Sequence, residues 1–374
     1  MNDRETLRQA VAASSIRRVR VLAWRDLDDP EAGGSERHAH EILRRWAAAG
    51  LEIRMRTSRL GTSDSVVERE GYTVERRSGR YSVFPSALLE GLFRDRRRYD
   101  AVVEVWNGAP FFTPLWARRR LVWLHHVHGE MWKMTLGLVL AKIGWHLEHS
   151  VAPRFYRRSR VVTLSSSSRA EIEERLGLKG VSVVAPGIDE RFKPGDERSE
   201  TPAVVAVGRL VPVKRYDVLI KSFVEVRRQV PTATLEICGD GYLGRELGEL
   251  VEQLGASSYV TFRGFVSDAD LVTTYKRAWV VASASLREGW GMSLTEAAAC
   301  GTPSVATDIA GHRDAVRQGE SGILVSDEFL ADALRQVLTD ATLRARWSAG
   351  ALALAGTLTW DRAALDLFEA LASS

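Results

Sequence analysis

The sequence predicts an α/β protein made of two doubly wound domains, each built on a mostly parallel sheet. Short apolar runs alternate with helical segments along the whole chain, a pattern typical of parallel sheets covered by helices. The alternation starts again at Ala203, after a polar segment from Lys193 to Glu200 that indicates a linker. A length of 374 residues and a hydrophobic content of 45% fit two domains of ordinary size.

The first domain is predicted to cover residues 1–194. Its N-terminal residues indicate a short polar extension, and a helix is expected from Glu36 to Ala49, where Gly50 ends it. The predicted strands are 19–24, 51–57, 73–76, 100–106, 121–125, 161–165 and 181–189.

The second domain is predicted to cover residues 195–355, and a last helix lies in 356–374. Its predicted strands are 203–208, 234–238, 259–264, 280–285 and 304–307. The helices expected between and after them include 215–229, 243–254, 268–277 and 360–372.

The net charge of +4 is unevenly spread along the chain. Residues 1–200 hold 35 lysines and arginines against 27 acidic residues, whereas residues 201–374 hold 17 against 21. A basic first half can meet phosphates, an anionic membrane surface or an acidic acceptor. Nucleic acid is disfavoured as a partner, because no nucleic-acid binding motif accompanies the arginines.

Cysteine usage and hydropathy indicate a cytoplasmic protein. Cys238 and Cys300 stand in apolar strand and helix contexts and are expected to be buried thiols. The N-terminus is charged and lacks the apolar core of a signal peptide. No run approaches the roughly 18 apolar residues that a membrane span needs.

Residues 280–308 form the strand, loop, helix and strand around which the second half is organised. Glu288 lies in the loop, where glycines on both sides of Trp290 let a ligand approach the backbone closely. Ser293 is the predicted N-cap of the helix, with Glu296 three residues later. A loop of this kind suits a phosphorylated ligand whose hydroxyls are held by carboxylates. Alternatively, Glu296 is only a capping acid.

Glu288 and Glu296, with seven residues between them, lie in EGWGMSLTEAAACGTPSVATDIAGHRD. This stretch resembles the E-x7-E signature of family 4 of the retaining glycosyltransferases (GT4), which have the GT-B fold and use nucleotide-sugar donors. The turn from Pro186 to Asp189 resembles the one that ends the first domain in that family. The resemblance implies a cleft between the two domains and a C-terminal helix, in 356–374, that packs back on the first.

The resemblance also implies roles for single residues. Glu288 would hold hydroxyls of the donor sugar, Glu296 would hold those of the ribose, and His125 would contact the reacting sugar. Arg209 and Lys214 would neutralise the leaving diphosphate. The other residues placed around the nucleotide sugar are Gly33, Gly34, Gly208, Gly239, Gly264, Phe265, Gly289, Trp290, Gly291, Met292, Ser293 and Leu294.

The residues themselves support a diphosphate clamp after strand 203–208. Arg209 and Lys214 flank a turn at the carboxyl end of that strand, where a guanidinium fork and an ammonium can hold a diphosphate. Two solvated surface cations are the alternative. Arg215 stands where the family usually has glycine, a departure from the family pattern at this turn.

Two other motifs indicate different chemistry. Residues 239–244 spell G-x-G-x-x-G after a strand, as in NAD-dependent oxidoreductases, but they lie late in the chain rather than on a first β–α turn. Asp26–Asp28 and Asp268–Asp270 both spell D-x-D. We interpret both D-x-D motifs as structural, with Asp268 as a helix N-cap, and expect no required metal.

Three histidines, His125, His126 and His128, follow strand 121–125. They could suggest zinc, but alternate residues of an extended segment point to opposite faces, which disfavours a shared metal. His126 stands where the family often has Asp, so the histidine that faces the substrate remains open among the three.

Residues 131–147 form an apolar helix with tryptophans near both ends, and arginine-rich segments stand at 94–98, 118–120 and 157–160. A core or cleft-lining helix with solvated arginines is the more ordinary interpretation. The alternative is an interfacial patch for a lipid-linked acceptor on an anionic membrane.

Together with these observations, the resemblance to GT4 implies a retaining, metal-independent GT-B glycosyltransferase that needs no cofactor other than its UDP- or GDP-sugar donor. Its partner would be a hydroxyl acceptor, either lipid-linked, a glycan or a small molecule, with an anionic membrane surface as a further partner. The alternatives are an NAD-dependent oxidoreductase, resting on residues 239–244, and a non-catalytic membrane-docking protein, resting on the arginine clusters.

Overall fold

The computed structural model describes residues 2–61, 64–125, 127–129, 132 and 137–374. They divide into two compact units, one formed by residues 1–187 with 359–374 and the other by residues 188–358. The domain boundaries predicted from the sequence lie after residues 194 and 355, whereas the chain passes from one unit to the other after residues 187 and 358. The expected linker 193–200 is part of the second unit and is hydrogen-bonded to the rest of it. Arg198 donates to the Gly301 carbonyl at 3.0 Å, and the Ser199 N–H donates to the Arg277 carbonyl at 3.0 Å.

The first unit contains an eight-stranded sheet in the order β3-β4-β2-β1-β5-β6-β7-β8. Among the described strands, every pairing in it is parallel except that of β3 with β4. The strands are β1 Arg18–Leu22, β2 Glu52–Thr57, β3 Val66–Arg69, β4 Tyr72–Arg76, β5 Ala101–Trp106, β6 Arg120–Leu124, β7 Arg160–Thr163 and β8 Ser182–Val183.

Helices cover both faces of this sheet. The first-unit helices are α1 Asp3–Ala13, α2 Gly34–Ala48, α3 Val83–Phe93, α4 Leu138–His146, α5 Ala152–Tyr156 and α6 Ser166–Leu176. A π-helical turn, Leu147–Val151, joins α4 to α5, and 3-10 turns cover Asp95–Arg97 and Thr113–Leu115. Of the predicted helix 131–147, residues 131 and 133–136 lie outside the described residues.

The second unit contains a six-stranded parallel sheet in the order β11-β10-β9-β12-β13-β14. The strands are β9 Ala203–Val207, β10 Thr234–Cys238, β11 Val260–Gly264, β12 Val280–Ser283, β13 Ser304–Thr307 and β14 Gly322–Val325. The helices that follow α6 are α7 Tyr216–Gln229, α8 Gly244–Gln253, α9 Asp268–Arg277, α10 Met292–Ala299, α11 His312–Ala315, α12 Leu330–Thr339, α13 Ala341–Ala355 and α14 Trp360–Ala372.

The prediction of two α/β domains with mostly parallel sheets is confirmed. The last helix, α14, belongs to the first unit, where Asp361 accepts from Arg45 at 2.7 Å and the Ala364 carbonyl accepts from the Trp46 indole at 2.8 Å. In the part of the chain that the structure describes, no helix combines the length and the apolar character needed to cross a bilayer.

Some local predictions are wrong. The supposed polar extension is helix α1, which Asn2 caps by accepting from the Glu5 N–H at 3.0 Å. Strand β3 was absent from the prediction, because an edge strand of four half-exposed residues carries little periodic signal. The N-cap of α9 is Ser267 rather than Asp268, and the N-cap of α10 is Gly291 rather than Ser293.

A buried arginine on the central strand β1 ties α3 and its following turn to the sheet. The Arg20 side chain is 1% exposed. It donates a hydrogen bond to Glu75 at 2.8 Å and forms ion pairs with Asp95 at 3.1 Å and with Glu90 at 3.6 Å. Burial would raise the pKa of Glu75, but the guanidinium groups of Arg20 and Arg54 lower it below the usual glutamate range. Among the described residues Arg20 is the only ion-pair partner of Asp95, whereas it shares Glu75 with Arg54 and Glu90 with Arg56.

Substitution of Arg20 by methionine is expected to lower the free energy of unfolding by about 3–5 kcal/mol, because it leaves the buried Asp95 without its cation and removes one cation from Glu75. The depressed pKa of Glu75 contributes stability above the ordinary carboxylate range and loses it as the pH falls, so the penalty should shrink in acid. Denaturant unfolding at two pH values measures both effects. Arg54→Met is the matched control: Arg54 also bonds Glu75, but it is 34% exposed and should cost below about 1 kcal/mol. Equal losses in the two variants would contradict this account.

Candidate active site

The carboxyl ends of β9 and β12 define the switch point of the second sheet. Strand β9 pairs with β10 on one side and with β12 on the other, so the loops after β9 and β12 leave the sheet side by side. Ligands of open α/β sheets bind in the crevice at such a point. The Leu286 N–H donates to the Val213 carbonyl at 2.8 Å, which joins the two loops directly.

Lys214 and Glu288 form an ion pair across this switch point. The Ser285 hydroxyl donates to the same carboxylate at 2.9 Å, and both charged side chains are partly buried. Burial alone would raise the pKa of Glu288, but the Lys214 ammonium and these hydrogen bonds hold it below the usual glutamate range. Glu288 is therefore ionised at neutral pH.

His312 is a second polar group beneath this loop, and the sequence prediction missed it. It is fully buried, its Nδ1 bonds the Thr307 carbonyl at 2.8 Å, and its Nε2 lies 3.2 Å from the Ser283 hydroxyl. A carbonyl accepts only, so Nδ1 carries the proton and Nε2 accepts from Ser283. Burial lowers the pKa of His312 against the opposing field of Glu288, which keeps the ring neutral. The GHRD segment that ends the motif is the sequence signal that marks this residue.

The start of α10 lies directly after Glu288. Gly291 is its N-cap with a φ of 106°, a left-handed conformation that disfavours a side chain. Glycine has no side chain that could accept hydrogen bonds from the first turn. The first-turn N–H groups near Met292 and Ser293 can therefore donate hydrogen bonds to an anion. Trp290 is buried, as is Leu294 in the first turn, while Gly289 joins Trp290 to Glu288.

Glu296 lies one turn further along α10. Its carboxylate accepts from the Tyr275 hydroxyl at 3.2 Å, and Tyr275 is fully buried. The predicted capping role is wrong, because the cap residue is Gly291 and not Ser293. Glu296 therefore accepts a hydrogen bond from a tyrosine of α9.

The glycines of the G-x-G-x-x-G segment allow two loops of the protein to meet. A side-chain carbon on Gly239 would lie 2.1 Å from the Gly208 carbonyl oxygen, and one on Gly241 would lie 2.4 Å from the Leu210 carbonyl oxygen. Only glycine permits this approach. The backbone after β9, which leads to the exposed Arg209, occupies the space beside these glycines, and this disfavours the dinucleotide interpretation.

The end of β11 continues the same edge of the second sheet. The Gly239 N–H donates to the Gly264 carbonyl at 2.8 Å, which fixes the end of β11 against β10. Phe265, the next residue, is 87% exposed. An aromatic side chain that is exposed beside a candidate nucleotide site is available for stacking.

The remaining predicted site residues lie in the first unit. Gly33 is the N-cap of α2, which begins at Gly34, and the Gly33 N–H donates to the Glu36 carboxylate at 2.8 Å. The Asn107 amide after β5 reaches Ser35 at 3.1 Å, so this helix start lies at the switch point between β1 and β5.

His125 follows β6 and is 2% exposed. Its ring lies between Trp123, edge-on at 5.1 Å between centroids, and His38 of α2, stacked at 5.7 Å. Burial and the neighbouring His125 hold the pKa of His38 well below the usual histidine range. The sequence prediction missed His38, which resembles any helical histidine until the fold brings α2 beside β6. His126 lies outside the described residues.

The segment after His125 is held by Glu148, which lies on the π-helical turn. Its carboxylate is fully buried and accepts from the N–H groups of His128 at 2.8 Å and Gly129 at 3.0 Å, and from the Trp132 indole at 2.9 Å. Burial raises the pKa of Glu148, and these donors oppose that rise. A buried carboxylate with three donors fixes the backbone that follows the candidate histidine.

The D-x-D motifs are engaged in ion pairs. Arg76 pairs with Asp26 at 2.7 Å and also with Asp28, while Asp268 pairs with Arg191. Among the described residues, histidine, cysteine and carboxylate side chains form no cluster of three or more that could hold a metal ion.

Two family models match consecutive parts of the chain. The model described as Glycosyltransferase Family 4 matches residues 32–192, and the one described as Glycosyl transferases group 1 matches residues 187–353. The second match contains the Lys214 and Glu288 loops, and the first contains His125.

Similar proteins carry one recurring name. A D-inositol 3-phosphate glycosyltransferase of Stackebrandtia nassauensis is 34% identical over 98% of this chain and 94% of its own length. The enzyme of that name from Rhodococcus erythropolis is 35% identical over 50% of this chain, which spans about half (47%) of the Rhodococcus protein's length.

Solved structures share the fold. Sucrose-phosphate synthase from Thermosynechococcus elongatus has a TM-score of 0.80 at 18% identity, with 94% of this chain and 98% of that chain covered. Anabaena HepE, solved in complex with UDP and glucose, has a TM-score of 0.76 at 19% identity, with 96% and 100% covered. At this level of identity the likeness establishes the GT-B fold.

Substitution of Glu148 by glutamine is expected to lower the free energy of unfolding by about 1–3 kcal/mol. One glutamine nitrogen must then face N–H donors, so at least one buried donor loses its acceptor. Denaturant unfolding followed by tryptophan fluorescence measures the loss, since Trp132 is one of the donors. Glu173→Gln is the matched control, because Glu173 is exposed and accepts a single long hydrogen bond among the described residues, from the Val181 N–H at 3.3 Å. A Glu148→Gln variant as stable as this control would show that the carboxylate does not anchor the segment.

Proposed function

The chain belongs to glycosyltransferase family 4, and we propose that it is a retaining enzyme that moves a sugar from a nucleoside-diphosphate sugar to a hydroxyl acceptor. The observation that carries the proposal is the Lys214–Glu288 ion pair at the switch point of the second sheet. It puts an ammonium and an ionised carboxylate at the place where a parallel sheet binds a phosphorylated ligand.

The reaction breaks the bond between the anomeric carbon of the sugar and an oxygen of the diphosphate. Positive charge builds on the sugar ring and negative charge on the leaving phosphate. Lys214 has three N–H donors, one of which serves Glu288, so the others can bind phosphate oxygens. Arg209, exposed on the same loop, and the amides at the start of α10 add to this stabilisation of the leaving group.

The carboxylates are proposed to bind hydroxyls. Because the pKa of Glu288 is depressed, it accepts hydrogen bonds from the donor sugar at neutral pH and below. Glu296, oriented by Tyr275, is proposed to accept from the ribose hydroxyls.

Retention of configuration needs no covalent nucleophile from the protein. The acceptor hydroxyl attacks from the side that the phosphate leaves, its oxygen forms the new bond to the anomeric carbon, and its proton passes to a departing phosphate oxygen. His125 is proposed to contact the reacting sugar, and the edge-on ring of Trp123 and the stacked ring of His38 hold it in one orientation.

The donor is proposed to be a UDP-sugar, with a GDP-sugar as the alternative. A solved structure with the same fold contains UDP and glucose, and the exposed Phe265 gives a base a surface on which to stack. Since Lys214, Arg209 and helix amides supply the positive charge, we propose that no metal is required. The name of the relatives makes D-inositol 3-phosphate the first small acceptor to test.

We propose that the protein works in a reducing compartment, because both of its cysteines are free thiols. Cys238 and Cys300 are both buried and free, and burial raises the pKa of Cys238 to about 12 and that of Cys300 to about 11. Such thiols are inert core groups, as is common in cytoplasmic proteins.

Calorimetric titration with UDP, GDP and NAD, each with magnesium and with EDTA, tests the donor class. One nucleoside diphosphate is expected to bind equally well with and without EDTA. Arg209→Ala should weaken that binding by about 10-fold or more, because a charge-assisted phosphate contact is lost. Arg245→Ala is the control, since Arg245 is 92% exposed on α8. Binding of NAD alone, or strict dependence on magnesium, would refute the proposal.

Glu288→Gln is expected to lower turnover by about 100-fold or more, because it removes the charge that holds the sugar hydroxyls and leaves Lys214 without its partner. Transfer from the donor identified by titration measures the rate, and circular dichroism checks the fold. Glu320→Gln, a substitution at an exposed glutamate of the same unit, serves as the control. If Glu288→Gln turns over at the control rate, the carboxylate pair is not the site.

A further inference from the structure

Exposed large apolar side chains are concentrated in one part of the first unit. Among the described residues, four lie in the second unit and are scattered, at Tyr242, Phe265, Leu286 and Phe329. Between residues 89 and 155 of the first unit there are ten: Leu89, Leu92, Phe93, Leu115, Leu138, Val139, Leu140, Ile143, Trp145 and Phe155. The most open are Phe93 at 81%, Leu138 at 76% and Val139 at 73%. Single exposed apolar residues are ordinary, whereas a concentration of this size marks an interaction surface.

The elements that carry these side chains are neighbours. Helix α3 lies against the turn Thr113–Leu115, where Gly91 faces Trp116 so closely that a side-chain carbon would be 2.2 Å from the indole. The same turn also contacts α5. Phe112, which directly precedes the turn, packs edge-on against Phe155 of α5 with 5.6 Å between the ring centroids. Helix α5 continues the helical stretch that begins with α4. We call the exposed side chains of residues 89–98, 115–118 and 138–158 the docking face.

The charged residues of the docking face that point to solvent are basic. The exposed arginines of this face that form no ion pair among the described residues are Arg94, Arg96, Arg97, Arg98, Arg118, Arg154, Arg157 and Arg158. The acidic residues of the same segments are turned inward: Asp95 pairs with Arg20, Glu90 pairs with Arg56, and Glu148 is buried. The face therefore combines apolar side chains with unpaired positive charge.

We propose that the docking face binds an anionic lipid bilayer. Its apolar side chains come from four separate elements, α3, the turn Thr113–Leu115, α4 and α5, rather than from the walls of one groove. Such an arrangement suits a flat, fluid partner that can adapt to them. Aromatic and aliphatic side chains would enter the interface while the arginines meet lipid phosphates. The charge complementarity decides between a bilayer and a second copy of this chain, because two such faces would repel each other.

Docking on a membrane also narrows the acceptor class. This step rests on the proposed function: an enzyme held at a bilayer is expected to use a hydroxyl acceptor that resides in the membrane or is anchored to it. The docking itself does not depend on glycosyl transfer.

Sedimentation of the full chain with lipid vesicles tests the proposal. The protein should pellet with phosphatidylglycerol–phosphatidylcholine vesicles, remain in the supernatant with pure phosphatidylcholine, and be released by high salt. The triple variant Arg94→Glu, Arg96→Glu, Arg97→Glu should bind the anionic vesicles at least about 100-fold more weakly, given the contribution of each arginine near such a surface. Leu138→Ser with Val139→Ser should also weaken binding, although the charge is unchanged.

A matched control separates this face from overall charge. Arg228→Glu, Arg317→Glu, Arg346→Glu makes the same change in net charge at exposed arginines of the second unit and should bind vesicles as the wild type does. Equal binding by the two triple variants would overturn the proposal, as would wild-type protein that ignores anionic vesicles. Association of the chain with itself that Leu138→Ser abolishes, without vesicle binding, would assign the face to a second copy. UDP titration of the Arg94, Arg96 and Arg97 triple variant keeps the two proposals apart, since nucleotide binding should be unchanged there.

Discussion

The candidate site depends on how closely three loops approach one another at the carboxyl edge of the second sheet. Glycine at 239 lets the segment after β10 touch the Gly208 carbonyl, and the Leu286–Val213 hydrogen bond joins the loops after β9 and β12. These backbone contacts bring Lys214 and Glu288 together, although the two residues are far apart in the sequence. The ion pair then sets the protonation of Glu288, so backbone geometry determines the chemistry of the carboxylate.

The first unit fixes its loops in a different way, with buried carboxylates. Glu104 on β5 is fully buried and accepts from the Phe111 N–H at 2.7 Å and the Tyr156 hydroxyl at 2.6 Å. Glu148 holds the segment after His125 through three donors. Several hydrogen bonds offset the cost of desolvating each carboxylate. A loop anchored in this way has few alternative conformations. Rigid loops at the ends of strands are what a site for a polar ligand needs.

The two units also differ in what they present to solvent. The first half of the chain is basic, and its exposed arginines accompany a cluster of exposed apolar side chains on α3, α4 and α5. The second half is acidic, and its exposed apolar residues are few and separated. Such a division suits a protein in which one unit handles a soluble nucleotide while the other meets a surface. The same asymmetry explains why net charge alone indicates little about the partner.

Sequence patterns predicted the fold class, most of the strands and the helix 360–372, because apolar periodicity is a local property of the chain. The sequence also marked Lys214, Glu288 and Glu296 as site candidates through their motifs, with roles that stay predictions. It could not find His312, Ser285, His38 or Glu148, since none of them stands in a pattern until distant segments meet. It misplaced the caps of α9 and α10 by one and two residues, because Ser, Asp and Gly compete at helix starts. Burial, ion pairing and protonation could be assigned only from the folded chain, since these properties depend on neighbours far away in the sequence.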